Sequence, residues 1–175
     1  MRHLIDFGDL TRAEWESLYQ RCSDIMDHPA DFMDACRGRV MASLFYEPST
    51  RTNFSFQTAM LRVGGTVFGF ADPKSTSTAK GETLKDTIKM VSGYADVVVM
   101  RNPKEGAAKA ASLYSDVPVI NAGDGGHMHP TQTTADLTTI TRLRGKVDGL
   151  SVGLCGDLKN GRTVHSLIKA LAKFE

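Results

Sequence analysis

Four short apolar segments, separated by segments with helical periodicity, constrain the possible fold more than any other feature of the sequence. The apolar segments are residues 39–46, 66–71, 95–100 and 117–122. Within the third, residues 97–100 form an uninterrupted apolar run, which is typical of a strand that helices cover on both faces. Strands that alternate with helices form parallel sheets with right-handed crossovers. The pattern therefore predicts an α/β fold, an open parallel sheet flanked by helices.

The segments between these strands have the signals of helices and of one long loop. Thr11 and Glu14 have the spacing of a capping box, which predicts the start of the first helix. Apolar residues at helical spacing predict further helices over residues 52–63, about 84–91, 104–113 and 129–145. Residues 72–82 have no periodicity, and we predict a polar loop there.

The last segment, "LSVGLCGDLKNGRTVHSLIKALAKFE", has the pattern of one more strand, a turn and a helix. A lone unit of this kind cannot bury both faces of its strand. The sequence therefore predicts a first domain over residues 1–133, a connecting helix over 134–148, and the first strand–helix unit of a second, similar domain over 149–175. On this interpretation the chain is truncated within the second domain.

Composition narrows the class of function. The formal net charge is +1, so no basic excess indicates nucleic acid or an anionic membrane as a partner. No apolar run is long enough to span a bilayer. Three widely spaced cysteines, an odd number, favour the reducing cytoplasm over a disulfide framework. We therefore expect a cytoplasmic protein with a small-molecule ligand.

Polar side chains collect directly after three of the predicted strands. In open parallel sheets, ligands bind beyond the carboxyl ends of the strands. A helix start with free N–H groups, hydroxyl donors and guanidinium groups favours an anion, and histidine or glutamine can hydrogen-bond a neutral carbonyl or amide. The pattern predicts a site for a small phosphorylated molecule with a carbonyl group, formed by Ser49, Thr50, Arg51 and Thr52, by Arg101, and by His129 and Gln132.

Each feature also has a simpler interpretation. Ser49 or Thr50 alone is most often a helix cap, and isolated arginines are usually surface charges. His127 and His129 have no third metal ligand nearby, so no metal is expected. The segment "GDLKNGR" lacks the glycine pattern and lysine of nucleotide-binding loops, and nothing in the sequence indicates a covalent nucleophile.

Five segments resemble aspartate carbamoyltransferases in order and spacing. They are "FYEPSTRTNFSF", "KGETLKDT", "MRNPKEGAA", "NAGDGGHMHPTQTTADL" and "GDLKNGRTVHSL". The first and fourth are shared in outline with ornithine carbamoyltransferases, whereas the fifth is similar to the aspartate enzymes. The resemblance implies transfer of the carbamoyl group of carbamoyl phosphate to the amino group of L-aspartate, in pyrimidine biosynthesis. It implies no cofactor, and it leaves regulatory chains undefined.

The resemblance also implies roles for individual residues. Ser49, Thr50, Arg51 and Thr52 resemble a phosphate cradle, while Thr52, Arg101 and His129 resemble the groups that hold the carbamoyl oxygen. Gln132 resembles the ligand of the carbamoyl amino group, and Arg162 a carboxylate ligand for aspartate. Ser77 (or Ser75) and Lys80 resemble residues inserted into a neighbouring subunit's site, which implies a homotrimer with shared sites.

Two alternatives remain open. Later aspartate ligands of the family are absent from the sequence, so the chain alone is expected to be a carbamoyl-phosphate-binding fragment with little or no turnover. The other alternative is a carbamoyltransferase for a different amine such as ornithine. Arg162 argues against it, because a guanidinium suits an acidic substrate.

Overall fold

The computed structural model describes residues 1–175, and a sheet of four parallel strands forms its centre. The strand order is β2-β1-β3-β4, so β1 and β3 are central and β2 is an edge strand. The predicted α/β fold with an open parallel sheet is confirmed, and each strand lies within two or three residues of its predicted place. The strands are β1 (Val40–Phe45), β2 (Thr66–Phe70), β3 (Val97–Asn102) and β4 (Val119–Asp124).

Six α-helices surround the sheet. The predicted capping box is present, because the Glu14 backbone N–H donates to Thr11 Oγ1 and the Thr11 N–H donates to Glu14 Oε2. The polar loop at residues 72–82 contains two short 3-10 turns, Pro73–Ser75 and Ser77–Lys80. None of the helices is both long and apolar enough to cross a membrane. The helices are α1 (Arg12–Asp27), α2 (Thr50–Arg62), α3 (Leu84–Ser92), α4 (Ala107–Tyr114), α5 (Pro130–Arg144) and α6 (Arg162–Leu171).

Alternate residues of the central strands face two separate apolar clusters. Along β1, Leu44 belongs to the cluster that includes Ile88 of α3, whereas Phe45 belongs to the cluster that includes Met60 of α2. This period of two is the geometry of a strand that is buried on both faces. Because all four strands are parallel, their carboxyl ends lie at one edge of the sheet, where the connecting loops collect.

The C-terminal segment differs from its prediction. Residues 149–155 form no strand, and the predicted connecting helix at 134–148 lies mostly within α5, which begins at Pro130 and ends at Arg144. A strand needs backbone partners on a neighbouring strand, and this segment pairs with none of the four strands. Helix α6 instead packs on the first domain, where Ala170 joins the cluster of Phe7 and Trp15. The division into two domains stays a prediction.

Candidate functional site

A pocket of about 760 Å³ lies beyond the carboxyl ends of the strands. It collects side chains from α2, the end of β3, the first turn of α5 and the start of α6. Six of the ten predicted site residues line it: Arg51, Thr52, Arg101, His129, Gln132 and Arg162. These residues lie far apart in the sequence, and the parallel topology places their strand ends and helix starts together.

The start of α2 presents uncapped backbone N–H groups beside this pocket. Ser49 occupies the N-cap position, but its side chain makes no capping hydrogen bond. Ser49 and Thr50 lie at the helix start without lining the pocket. A first turn without a side-chain cap leaves N–H donors and the positive end of the helix dipole available to an anion. The geometry thus disfavours the interpretation of Ser49 as a cap alone.

Glu47 joins two arginines that are distant in sequence. The Arg101 Nε donates to Glu47 Oε1 at 2.6 Å, and Arg162 Nη2 donates to the same oxygen at 3.2 Å. The Arg101 Nη1 also lies 3.4 Å from Thr52 Oγ1. All three charged side chains are mostly buried, with 13%, 18% and 24% exposure for Arg101, Arg162 and Glu47. The carboxylate offsets the repulsion that would otherwise separate the two guanidinium groups.

Burial lowers the pKa of Arg101 from its ordinary value, and the nearby charge of Arg162 lowers it further, whereas Glu47 raises it. The guanidinium still carries its charge at neutral pH. Sequence reasoning missed Glu47. The available signal was its position, since it is an acidic residue directly after β1, at the sheet edge where the arginines collect.

Arg162 reaches the pocket because α6 docks on the first domain. Its Nη1 donates to the carbonyl oxygen of Gly125 at 2.6 Å. Gly123 has a φ of +113°, and a Cβ there would lie 3.2 Å from the Arg162 Cζ. Glycine at 123 therefore provides both the backbone conformation and the space that the guanidinium needs.

His129 is buried at the start of α5. Its backbone N–H donates to Ser166 Oγ at 2.8 Å, and its Nδ1 lies 3.4 Å from Thr131 Oγ1. Burial, assisted by the charges of Arg162 and Arg101, lowers the pKa of His129 to about 4. The ring is therefore neutral at pH 7, and it can donate one hydrogen bond to an uncharged carbonyl oxygen.

The loop that leads to His129 is organised by a buried carboxylate. Asp124 Oδ1 accepts from Asn121 Nδ2 at 3.0 Å and from the Met128 N–H at 3.2 Å. Its Oδ2 accepts from the Gly106 N–H at 2.9 Å. Sequence reasoning missed this residue as well, because its partners come from three different segments. Asp124 supports the site without lining the pocket.

Gln132 lies on the first turn of α5, where its Nε2 donates to Asp136 Oδ1 at 2.9 Å. His127 does not approach the pocket, and its Nδ1 lies 3.5 Å from Asp124 Oδ2. No group of three or more histidine, cysteine, aspartate or glutamate side chains is arranged to hold a metal ion. The site instead combines cations, helix N–H groups and a neutral imidazole.

Ser77 and Lys80 do not reach this pocket. They line a separate groove of about 730 Å³ between β2, α3 and the 72–82 loop. Ser75 lines the same groove, so the geometry does not distinguish it from Ser77. The groove is flanked by exposed apolar side chains, including Tyr94 with 67% exposure. Within one copy of the chain, these loop residues and Arg51 line different pockets.

A family model described as aspartate/ornithine carbamoyltransferase, carbamoyl-P binding domain, matches residues 2–142. The aspartate carbamoyltransferase catalytic subunits of Clostridium perfringens and Clostridium acetobutylicum are 56% and 58% identical over 174 residues. These alignments cover 99% of this chain and 57% of each relative. The chain therefore spans little more than half the length of these curated relatives.

Several solved structures have a fold similar to that of this chain. Aspartate transcarbamoylase from Trypanosoma cruzi in complex with carbamoyl phosphate and aspartate has a TM-score of 0.93 at 40% identity, over 99% of this chain and 55% of that one. Another structure of that protein, with the same score and identity, contains N-(phosphonacetyl)-L-aspartic acid and is covered over 54%. The catalytic subunit from M. jannaschii has a TM-score of 0.90 at 49% identity, over 100% of this chain and 58% of that one.

Proposed function

This chain belongs to the aspartate/ornithine carbamoyltransferase family, and we propose that it transfers the carbamoyl group of carbamoyl phosphate to L-aspartate. The products are N-carbamoyl-L-aspartate and phosphate, an early step of pyrimidine biosynthesis. The observation that carries the proposal is the convergence of Arg51, Arg101 and neutral His129 on one pocket at an uncapped helix start. We place the reaction in the cytoplasm, which the cysteine pattern favours.

The phosphate is bound by the start of α2 together with the side chains of Ser49 to Thr52. Backbone N–H groups, hydroxyls and Arg51 supply donors to its oxygens. Arg101 adds a guanidinium, which is already oriented by Glu47 and Thr52. This set matches the dianionic phosphate group of an acyl phosphate, which leaves as inorganic phosphate when the bond between the carbonyl carbon and the bridging oxygen breaks.

The carbamoyl carbonyl lies between Arg101 and His129, and Gln132 accepts from the carbamoyl amino group. When the free amine of aspartate attacks, a C–N bond forms and negative charge develops on the carbonyl oxygen. As the C–O bond to phosphate then breaks, the nitrogen loses one proton and the departing phosphate accepts it. Donors that are already aimed at this oxygen stabilise the transition state more than the ground state. A neutral His129 donates its one ring N–H to this oxygen. It brings no positive charge of its own that would attract the phosphate away from Arg51.

Arg162 is proposed to bind a carboxylate of aspartate. Its guanidinium lines the same pocket from the start of α6 and donates to the Gly125 carbonyl oxygen. In this structure Glu47 accepts hydrogen bonds from both Arg101 and Arg162. An incoming anion therefore competes with the Glu47 carboxylate for these two guanidinium groups. An ornithine side chain would bring an ammonium group close to these cations, which favours aspartate over ornithine.

The second candidate function is carbamoyl phosphate binding without turnover. Arg162 is the one aspartate ligand that we assign in this chain, and a missing charged hydrogen bond costs about 1.5–3 kcal/mol. Turnover by the purified chain is therefore expected to be very slow. Normal turnover by the 175-residue chain would exclude this candidate.

We expect carbamoyl phosphate to bind this chain and the Arg51→Ala variant to bind it about 10- to 100-fold more weakly, because a charged hydrogen bond is lost. Isothermal titration calorimetry measures both affinities, and circular dichroism checks that the fold is intact. Arg62→Ala, an exposed arginine at the other end of α2, is the matched control. Unfolding of the Arg51 variant would favour a cap role for this segment, and unchanged affinity would contradict the cradle.

The location of Ser77 and Lys80 supports sites shared between copies of a homotrimer. Both residues are exposed on a groove away from their own pocket, next to the apolar side chains Phe68, Met90 and Tyr94. Strand β2 also has an unpaired outer edge beside this groove. A neighbouring copy that covers the apolar surface would receive Lys80 at its pocket.

Mixing two defective chains tests this sharing. A Lys80→Ala chain and an Arg51→Ala chain each lack one component of every site in their own homotrimers. Mixed trimers contain some sites with both residues, so we expect carbamoyl phosphate binding to recover in part. Calorimetry measures the recovery, and fluorescence transfer between labelled chains verifies that subunits have exchanged. Exchange without recovered binding would contradict shared sites.

A further inference from the structure

The first turn of α6 is attached to the loop at residues 125–129 by three side chains. Arg162 donates to the Gly125 carbonyl, and Ser166 Oγ accepts from the His129 N–H at 2.8 Å. Between them, His165 Nδ1 lies 3.3 Å from the carbonyl oxygen of Gly126. The position of Arg162 in the pocket therefore depends on these attachments.

His165 differs from the other two because it also contacts a second loop. Its Nε2 lies 2.9 Å from the carbonyl oxygen of Leu158, in the segment that precedes α6. Both ring nitrogens thus face carbonyl oxygens, which only accept hydrogen bonds. A neutral imidazole has one N–H, whereas the imidazolium has two. Only the protonated ring donates to both loops.

We propose that His165 is a positioning residue whose protonated ring joins the 155–161 segment to the 125–129 loop and thereby holds Arg162 in place for a carboxylate ligand. This inference rests on the proposed function, in which Arg162 binds aspartate. Loss of one ring proton leaves a lone pair facing a carbonyl oxygen, and the longer contact, to Gly126, is the one that opens. Carboxylate binding at Arg162 then weakens as the pH rises.

Acidic side chains lie in or beside both segments that His165 contacts. Asp157, in the adjoining segment, has a lowered pKa, mainly because it accepts from the Asn160 backbone N–H, and the charge of His165 contributes. On the other side, Glu105 Oε1 lies 3.2 Å from the position that a Cβ on Gly126 would take. The remaining titratable or charged groups on the adjacent elements are Arg162 and Lys169 of α6, Cys155 and Lys159 of the preceding segment, and His127 of the loop. Lys169 is itself paired with Asp6 at 3.1 Å.

Nitrogen NMR of the wild-type ring tests the contact directly. Spectra are recorded at about pH 6 and about pH 8.5, on either side of the pH range in which imidazole rings change protonation state. We expect both nitrogens of His165 to be protonated at the lower pH, and the Gly126 and Leu158 carbonyl signals to shift as one proton leaves. A singly protonated ring at the lower pH, or carbonyl signals that do not follow the titration, would overturn the proposal.

Ligand binding tests the consequence. The probes are N-(phosphonacetyl)-L-aspartic acid, which has a phosphonate and two carboxylates, and inorganic phosphate, which has none. At about pH 6, we expect His165→Phe to bind the first probe at least about fivefold more weakly than wild type. The corresponding free energy is small compared with the free energy of unfolding of a domain. At about pH 8.5 we expect wild type and His165→Phe to bind the first probe with similar affinity. The neutral imidazole donates to only one loop, so neither protein then has a side chain at 165 that joins the two loops. Phosphate affinity should be equal for both proteins at each pH.

Wild type and variant are compared at the same pH. Any effect of ligand protonation on affinity is therefore the same for both proteins and cancels in the affinity ratio. His28→Phe, at an exposed histidine after α1, is the matched control and should behave as wild type. If His165→Phe does not fold, His165→Gln, which keeps a donor, takes its place. An affinity ratio between wild type and variant that does not change with pH would overturn the proposal. Failure of wild type to bind either probe would instead contradict the proposed function, while the ring spectra would still decide the role of His165.

Discussion

Replacing Asp124 by alanine is expected to lower the free energy of unfolding by about 3–5 kcal/mol, a large part of the stability of a domain of this size. The carboxylate is buried and accepts from Asn121 Nδ2 and from the N–H groups of Met128 and Gly106. Its removal leaves these buried donors without an acceptor, and each unsatisfied group costs about 1–3 kcal/mol before any relaxation. Urea unfolding monitored by circular dichroism measures the difference.

The matched control is Asp116→Ala. Asp116 is 62% exposed and pairs with Lys89 on the surface, so its loss should leave stability nearly unchanged. Amide hydrogen exchange adds a local readout, because residues 125–129 should lose protection in the Asp124 variant before the sheet does. If the two alanine variants unfold at the same urea concentration, the carboxylate does not organise the loop as its contacts indicate.

Replacing Arg101 by methionine is expected to weaken carbamoyl phosphate binding about 100-fold, which corresponds to about 2.7 kcal/mol. The guanidinium is mostly buried and is oriented by Glu47 and Thr52, so little entropy is lost when it meets an anion. Methionine keeps much of the stem volume but removes every donor. The Glu47 carboxylate then faces the pocket with Arg162 as its remaining partner, which adds repulsion toward an anion.

A second variant separates these two effects. Adding Glu47→Gln to Arg101→Met removes the unbalanced carboxylate, so the double variant should regain part of the lost affinity. Arg37→Met is the control, because Arg37 is 77% exposed and pairs with Asp34 on the surface. Calorimetry of wild type, the single variants Arg101→Met and Glu47→Gln, and the double variant measures the coupling. Wild-type affinity in the single Arg101 variant would remove this residue from the proposed carbonyl and phosphate site.

The parallel sheet and much of the candidate site could be predicted because they depend on short-range patterns. Apolar runs of strand length and helical periodicity predicted every strand of the sheet and the helices between them. Arg51 and Thr52 lie at the start of the helix after β1, Arg101 lies at the end of β3, and His129 is the N-cap of the helix after β4. In a parallel sheet all strands end at one edge, so residues in these positions meet whatever the details of packing.

The features that the sequence did not determine involve contacts between distant segments. The pattern at residues 149–155 suits a strand, yet no strand forms, because a strand depends on a neighbour that local sequence cannot supply. Ser77 and Lys80 were predicted to belong to a shared site, and only the structure places them on a groove apart from Arg51. Their proposed contact is with another copy of the chain.

The sequence by itself therefore determined the α/β class, the order of the elements and the edge of the sheet at which polar side chains collect. Only the tertiary structure decided that Glu47 joins Arg101 to Arg162, that Asp124 holds the loop before His129, and that α6 docks on the first domain. The physical reason is the distance along the sequence over which each effect acts. Hydrophobic periodicity acts over a few neighbouring residues, whereas a buried carboxylate is defined by donors that meet only after the chain has folded.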